Sequence, residues 1–122
     1  MEISKLSWKE IKNLPQDTIF LLTVSPMEAH GPHLPISTDF IISKKLEEKT
    51  IEELKRRNIP CISLPSLPLG VCKYVDDFPG TISISWKNLY KLLLDIFISF
   101  AQHNFKYFLI CNFHMDPWHI KA

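Results

Sequence analysis

No stretch of this 122-residue sequence is apolar for the roughly 20 residues that a membrane-spanning helix needs. Met1 to Glu10 also lacks the apolar run of a secretory signal. Neither sign of charge dominates: the net charge is +1, and the lysines and arginines do not gather into a stripe. That argues against nucleic acid or a membrane surface as a partner. Cysteine is sparse. Cys61, Cys72 and Cys111 cannot all pair, and none sits in a Cys-x-x-Cys arrangement, so free, mostly buried thiols in a reducing cytoplasm are expected. No internal repeat or low-complexity tract is present. The length suits one domain, residues 1–122, with one core.

What is present alternates between strand-like and helix-like segments. Ser7 caps a short helix through Trp8, Ile11 and Leu14, ended by Pro15. Thr18 to Val24 is continuously apolar and β-branched, the pattern of a parallel strand buried on both faces. A loop punctuated by glycine and proline, Glu28 to Ser37, leads to a helix from Thr38 to Arg57, with Ile42, Leu46 and Leu54 near one stripe and Asn58 as its stop. Cys61 to Leu64 is a short second strand. Ser85 caps a second long helix, in which Trp86, Leu89, Tyr90, Leu93, Phe97 and Phe100 share one face and form core. Tyr107 to Cys111 is a third buried strand. This rhythm is that of a mainly parallel α/β sheet with right-handed crossovers. Three strands and two long helices leave apolar edges and faces, which a missing second half or another subunit is expected to cover.

The polar residues of interest follow strand ends. Glu28, His30, His33 and Asp39 come after the first strand, and His114 and Asp116 after the third. In open α/β sheets, the crevice outside the carboxyl ends of the strands is where sites form, so both groups belong on one rim. Singly, each is an ordinary loop residue, and Asp39 an ordinary helix-start carboxylate. Together they offer two imidazoles and three carboxylates, a donor set for zinc or manganese at distances of roughly 2.0–2.2 Å. Five such ligands exceed one tetrahedral zinc and suit two metals that share a bridging carboxylate, with Asp39 as the bridge.

The stretch Glu28-Ala29-His30-Gly31-Pro32-His33-Leu34-Pro35-Ile36-Ser37-Thr38-Asp39 resembles the signature of the creatininase (creatinine amidohydrolase) family. Phe78-Pro79-Gly80-Thr81-Ile82-Ser83 resembles a second family block, and Asn112-Phe113-His114 a third, usually Asn-Gly-His. The resemblance runs over essentially the whole chain and implies a three-layer α/β/α fold with a mainly parallel sheet, of which this chain is the N-terminal part. It also implies a binuclear centre of zinc or manganese, with iron as a further candidate. Glu28 and His114 would hold one metal, His30 and Asp116 the other, and Asp39 would lie between them. The implied activity is metal-dependent amide hydrolysis, a metal-activated water attacking a cyclic or linear C–N bond of a small molecule. The implied assembly is a homo-oligomer, often a hexamer. Two departures stand out: Asp116 replaces the longer Glu of creatininase itself, and Tyr74-Val75 stands where several members have an acid-His pair. The rival readings are a degenerate, non-catalytic member that keeps the metal ligands, and an assembly module whose sheet faces pair between chains. His33 reads as supporting rather than ligating, His103 as solvent-facing, Cys111 as an inert buried thiol, and His119 carries no assigned role.

Overall fold

The computed structural model describes residues 1–122. In chain order the elements are α1 (Trp8–Lys12), β1 (Ile19–Thr23), α2 (Thr38–Arg56), β2 (Cys61–Ser63), α3 (Trp86–Ala101), β3 (Tyr107–Cys111) and α4 (Pro117–Lys121), with a 3-10 turn at Ile3–Lys5 ahead of them. The helix starts follow local chemistry. Ser7 accepts from the Glu10 N–H while the Glu10 carboxylate reaches back to the Ser7 N–H, and Ser85 accepts from the Asn88 N–H. α2 ends at Asn58, whose φ of 58° makes the left-handed exit for which asparagine is suited. No helix is long and apolar enough to cross a membrane.

All strand pairs are parallel, and the sheet order is β2-β1-β3. α2 and α3 cover opposite faces. On one face Phe20 and Leu22 of β1, with Val24 just after it, pack with Ile62, Leu64, Phe105 and the α3 residues Leu89 and Leu93. On the other, Thr23 and Ser63 meet Glu47 of α2. This is the three-layer α/β/α arrangement. From β1 the chain moves to one side of the sheet, and from β2 it crosses back to the other side over the opposite face. Crossovers of one hand require that combination. The direction of winding therefore changes between β1 and β3, and the C-terminal ends of those two strands form the switch point.

Three sequence expectations are corrected here. The inward face of α2 is polar: Asp39, Ser43 and Glu47, spaced four apart, are buried, whereas Ile42 and Leu46 are 36% and 46% exposed. Four-residue spacing places all three over the sheet on one side of the helix, where each finds a polar partner. β3 is not buried on both faces. It is an edge strand, with Tyr107, Leu109 and Ile110 all exposed. On α3, Tyr90 also faces outward, while Leu89 and Leu93 are buried and Trp86, Phe97 and Phe100 pack around the core margin.

Candidate metal centre

The loops leaving β1 and β3 carry the candidate residues, and Asp39 enters from the first turn of α2. The β1 loop is pinned by the Phe78–Ser83 segment: the Ala29 N–H donates to Thr81 Oγ1 at 3.0 Å, and the Ile82 N–H donates to the Met27 carbonyl at 2.9 Å. A second pin holds the β3 loop. Asn112 accepts from the His114 N–H at 2.9 Å and donates to the His114 carbonyl at 2.8 Å, which explains why an asparagine stands two residues before this histidine. Ser43 accepts from the Phe113 N–H at 2.9 Å and ties the same loop to α2.

These constraints bring Glu28, His30, Asp39 and His114 together. His30 Nδ1 lies 3.1 Å from the Glu28 carbonyl, and His114 Nε2 lies 2.8 Å from the Val71 carbonyl. A carbonyl only accepts, so these ring nitrogens carry the protons. The other nitrogen of each neutral ring then presents a lone pair to a carboxylate. His30 Nε2 is 2.9 Å from Asp39 Oδ1, and His114 Nδ1 is 2.9 Å from Asp39 Oδ2 and 3.1 Å from Glu28 Oε1. A lone pair facing a carboxylate is repulsive unless a proton or a metal cation lies between them. One carboxylate thus offers one oxygen to each of two imidazoles, and each imidazole has its far nitrogen tied to the backbone, the usual arrangement of a ligating histidine. The donor set fits two divalent cations.

The electrostatics agree. Burial raises the Glu28 carboxyl above its ordinary range, partly offset by the His114 imidazole. Burial disfavours the charged form of His30, but the Glu28 carbonyl and the Asp39 carboxylate outweigh it and the net shift is upward.

Asp116 lines the same cleft and is buried, but its oxygens are engaged: Oδ1 accepts from the Trp118 N–H at 2.8 Å and Oδ2 from the Lys73 N–H at 2.7 Å. It caps α4 and joins that helix to the loop after β2. His33 is exposed on the β1 loop and does not line the cleft, and His103 is exposed after α3. Burial raises the Cys111 thiol to about 11.

Three contributors were not legible as such in the sequence. Val71 acts through its backbone, which leaves no trace in residue type. His119 is buried; its Nδ1 accepts from the Val71 N–H at 3.2 Å, and its ring meets His114 edge-on at 5.0 Å. Burial, together with His114, lowers its pKa to about 4, so it is neutral at physiological pH. Cys72, fully buried, places its sulfur among the donor atoms of Glu28 and His114. Its thiol is pushed far above the usual range by burial and by the Glu28 carboxylate. Only its position on a glycine-containing loop near the second block could have flagged it.

Gly70 makes this inner layer possible. A Cβ there would lie 2.6 Å from His119 Nδ1 and 2.9 Å from Pro26 Cδ. Gly70→Ala is therefore expected to destabilise the fold by about 1–3 kcal/mol through overpacking, read by urea unfolding. A loss under about 0.5 kcal/mol would show that the layer is not close-packed.

A parallel α/β sheet with Glu28, His30, Asp39, His114 and Asp116 around one cleft at its switch point places the chain among open α/β proteins whose sites form outside the carboxyl ends of the strands. Residues 4–122 match the family described as creatininase, creatinine amidohydrolase, and the chain belongs to that family. It is 24% identical over 121 residues to creatinine amidohydrolase of Pseudomonas putida, covering 93% of this chain and 45% of that protein. Over 76 residues it is 32% identical to the mycofactocin precursor peptide peptidase of Mycolicibacterium smegmatis, covering 62% of this chain and 31% of the relative. The chain thus spans less than half the length of the curated relatives it matches. A crystal structure of creatinine amidohydrolase superposes with a TM-score of 0.77 at 22% identity, covering 98% of this chain and 45% of that one. Among other solved relatives, one is described as creatininase Mn (TM-score 0.76, 19% identity, 98% of this chain and 48% of that one). Another, a mutant creatininase, is described as Zn-Zn type (TM-score 0.69, 20% identity, 88% of this chain and 43% of that one). These likenesses establish the fold.

Proposed function

We propose that this chain carries the metal centre of a creatininase-type amidohydrolase, acting on a cyclic or linear amide C–N bond of a small molecule. The observation that carries this reading is the Asp39 carboxylate, with one oxygen 2.9 Å from each of two imidazoles. Glu28, His30, Asp39 and His114 would hold two divalent ions, zinc or manganese. Asp116 would join them only by sharing an oxygen that already accepts a backbone hydrogen bond, which a carboxylate's remaining lone pairs permit. Bound there, the ions supply an activated water and a Lewis acid for an amide carbonyl. The chain's own residues position these ligands, fix the histidine tautomers and shape a cleft of about 330 Å³. Tyr74, Val75, Phe113 and Met115 supply the cleft's less polar walls, and its volume lies at the lower end of the range for small-molecule sites.

Metal content and turnover test the reading together. Protein equilibrated with zinc or manganese is expected to hold about two ions per chain and to release amine or ammonia from small amides. Two ions without turnover would support the non-catalytic, metal-binding alternative. No bound metal would sink both.

A second reading concerns assembly. Ile42 and Leu46 on α2, Leu94 and Ile98 on α3, and Leu109 and Ile110 on β3 are all at least 36% exposed. Apolar surface on both helix layers and along an open sheet edge favours self-association into a homo-oligomer. Light scattering at micromolar concentration is expected to show a mass above that of one chain. A stable monomer would count against assembly.

A further inference from the structure

We propose that Cys72 is a thiolate ligand of this centre, making the metal position at His114 selective for zinc over manganese. The inference deepens the metal-centre reading and rests on it. Cys72 is 0% exposed, in the loop between β2 and α3. Its sulfur, a Glu28 carboxylate oxygen and a His114 ring nitrogen all lie within 4.8 Å of one another. The three consecutive residues of this segment all address the centre. The Val71 carbonyl fixes the His114 tautomer, the Cys72 N–H is anchored on Ser83 Oγ at 2.9 Å, and the Lys73 N–H holds Asp116. Beyond the cluster the sulfur has only a contact of 4.0 Å with the Ile82 carbonyl, too long to account for its placement.

Donor type then distinguishes two positions. Glu28 Oε1 and Asp39 Oδ2 lie 3.1 and 2.9 Å from His114 Nδ1, and the Cys72 sulfur groups with Glu28 and a His114 ring nitrogen, so this position offers nitrogen, oxygen and sulfur, donors that zinc takes. Around His30 Nε2 the donors are Glu28 and Asp39 oxygens, without sulfur. Thiolate favours zinc, whereas carboxylate suits manganese as well. On binding, the S–H bond breaks heterolytically, the electron pair goes to the metal bond and the proton leaves to solvent.

Cobalt(II) chloride is the probe, because a thiolate on cobalt(II) gives a near-ultraviolet charge-transfer band that oxygen and nitrogen ligands do not. The band is expected in the wild type and in a Cys61→Ser/Cys111→Ser double variant, where Cys72 is the remaining cysteine. It should vanish in Cys72→Ser. Zinc affinity should fall at least about tenfold in Cys72→Ser with manganese affinity little changed. The double variant keeps Cys72 intact, so its band reads ligation even where Cys72→Ser folds poorly. Two cobalt ions bound by wild type without the band would overturn thiolate ligation and leave the metal centre standing. A band that survives in Cys72→Ser would overturn it too. No cobalt bound at all would overturn the metal-centre reading itself.

Discussion

Asp39→Asn is expected to abolish metal-dependent stabilisation at both positions while leaving the chain folded. In the wild type, zinc at 100 times its dissociation constant should stabilise the native state by about 2.7 kcal/mol, a rise of roughly 10 °C in Tm for a domain of this size. The Asp39 carboxylate, which faces the two imidazoles at 2.9 Å through one oxygen each, carries this effect. Asparagine keeps the shape but loses the charge. Its amide N–H group can donate to a histidine lone pair, satisfying in the metal-free protein what the cation would otherwise satisfy. Asp116→Asn should do less, because both Asp116 oxygens are held by backbone N–H groups.

The same experiment has a defined pH dependence. The pKa of His30 is raised in the folded, metal-free chain, by the Glu28 carbonyl and the Asp39 carboxylate acting against burial. A raised imidazole contributes stability that is fully present below its unfolded value, near 6.5, and is lost as pH rises through the folded value. Metal competes with that proton, so the gain from zinc should be large at pH 7.5 and small at pH 5.5. Thermal unfolding of the wild type and both variants, with and without zinc, is the measurement. No shift in the wild type, or equal shifts in all three proteins, would refute the shared bridge.

Glu47→Ala should be the most damaging substitution away from the centre, costing about 3–5 kcal/mol by urea unfolding. Glu47 is 1% exposed and accepts from the hydroxyls of Thr23 and Ser63, joining α2 to two strands, with Lys44 Nζ 2.8 Å away. Truncation leaves the buried Thr23 hydroxyl without a partner, at about 1–3 kcal/mol, leaves Ser63 with only a long 3.3 Å bond to the Leu64 carbonyl, and adds a cavity. Lys44 is one-third exposed and can turn to water, so its loss of a partner adds little. Replacing the group together, as Glu47→Leu with Thr23→Val and Ser63→Ala, should recover most of the loss, since an apolar set of matching volume needs no partners. A cost below about 1 kcal/mol for Glu47→Ala would show that the carboxylate does not bind the layers together.

Much of the framework is determined by the sequence alone. The apolar runs at Thr18–Val24 and Tyr107–Cys111 became β1 and β3, Ser7 and Ser85 capped the helices expected of them, and Asn58 ended α2. These outcomes rest on short-range backbone chemistry, which residue type and spacing report directly. The likeness of the Glu28–Asp39 stretch to the creatininase signature pointed to the family that residues 4–122 match. Which faces are covered was decided elsewhere. Ile42 and Leu46 predict an apolar inward stripe on α2, yet Asp39, Ser43 and Glu47 turn inward. Hydrophobic period measures affinity for a core, whereas here three polar side chains each find a partner across the sheet.

Only the tertiary structure decided the chemistry of the rim. Strand order β2-β1-β3 brings Asp39 to His114, two residues far apart in the chain, because the winding reverses between β1 and β3. It also sets the histidine tautomers through the Glu28 and Val71 carbonyls, spends the Asp116 oxygens on backbone N–H groups and delivers the Cys72 sulfur to Glu28 and His114. Sequence names the side chains available. Where a backbone carbonyl points, and which lone pair is left free, depends on how distant segments pack.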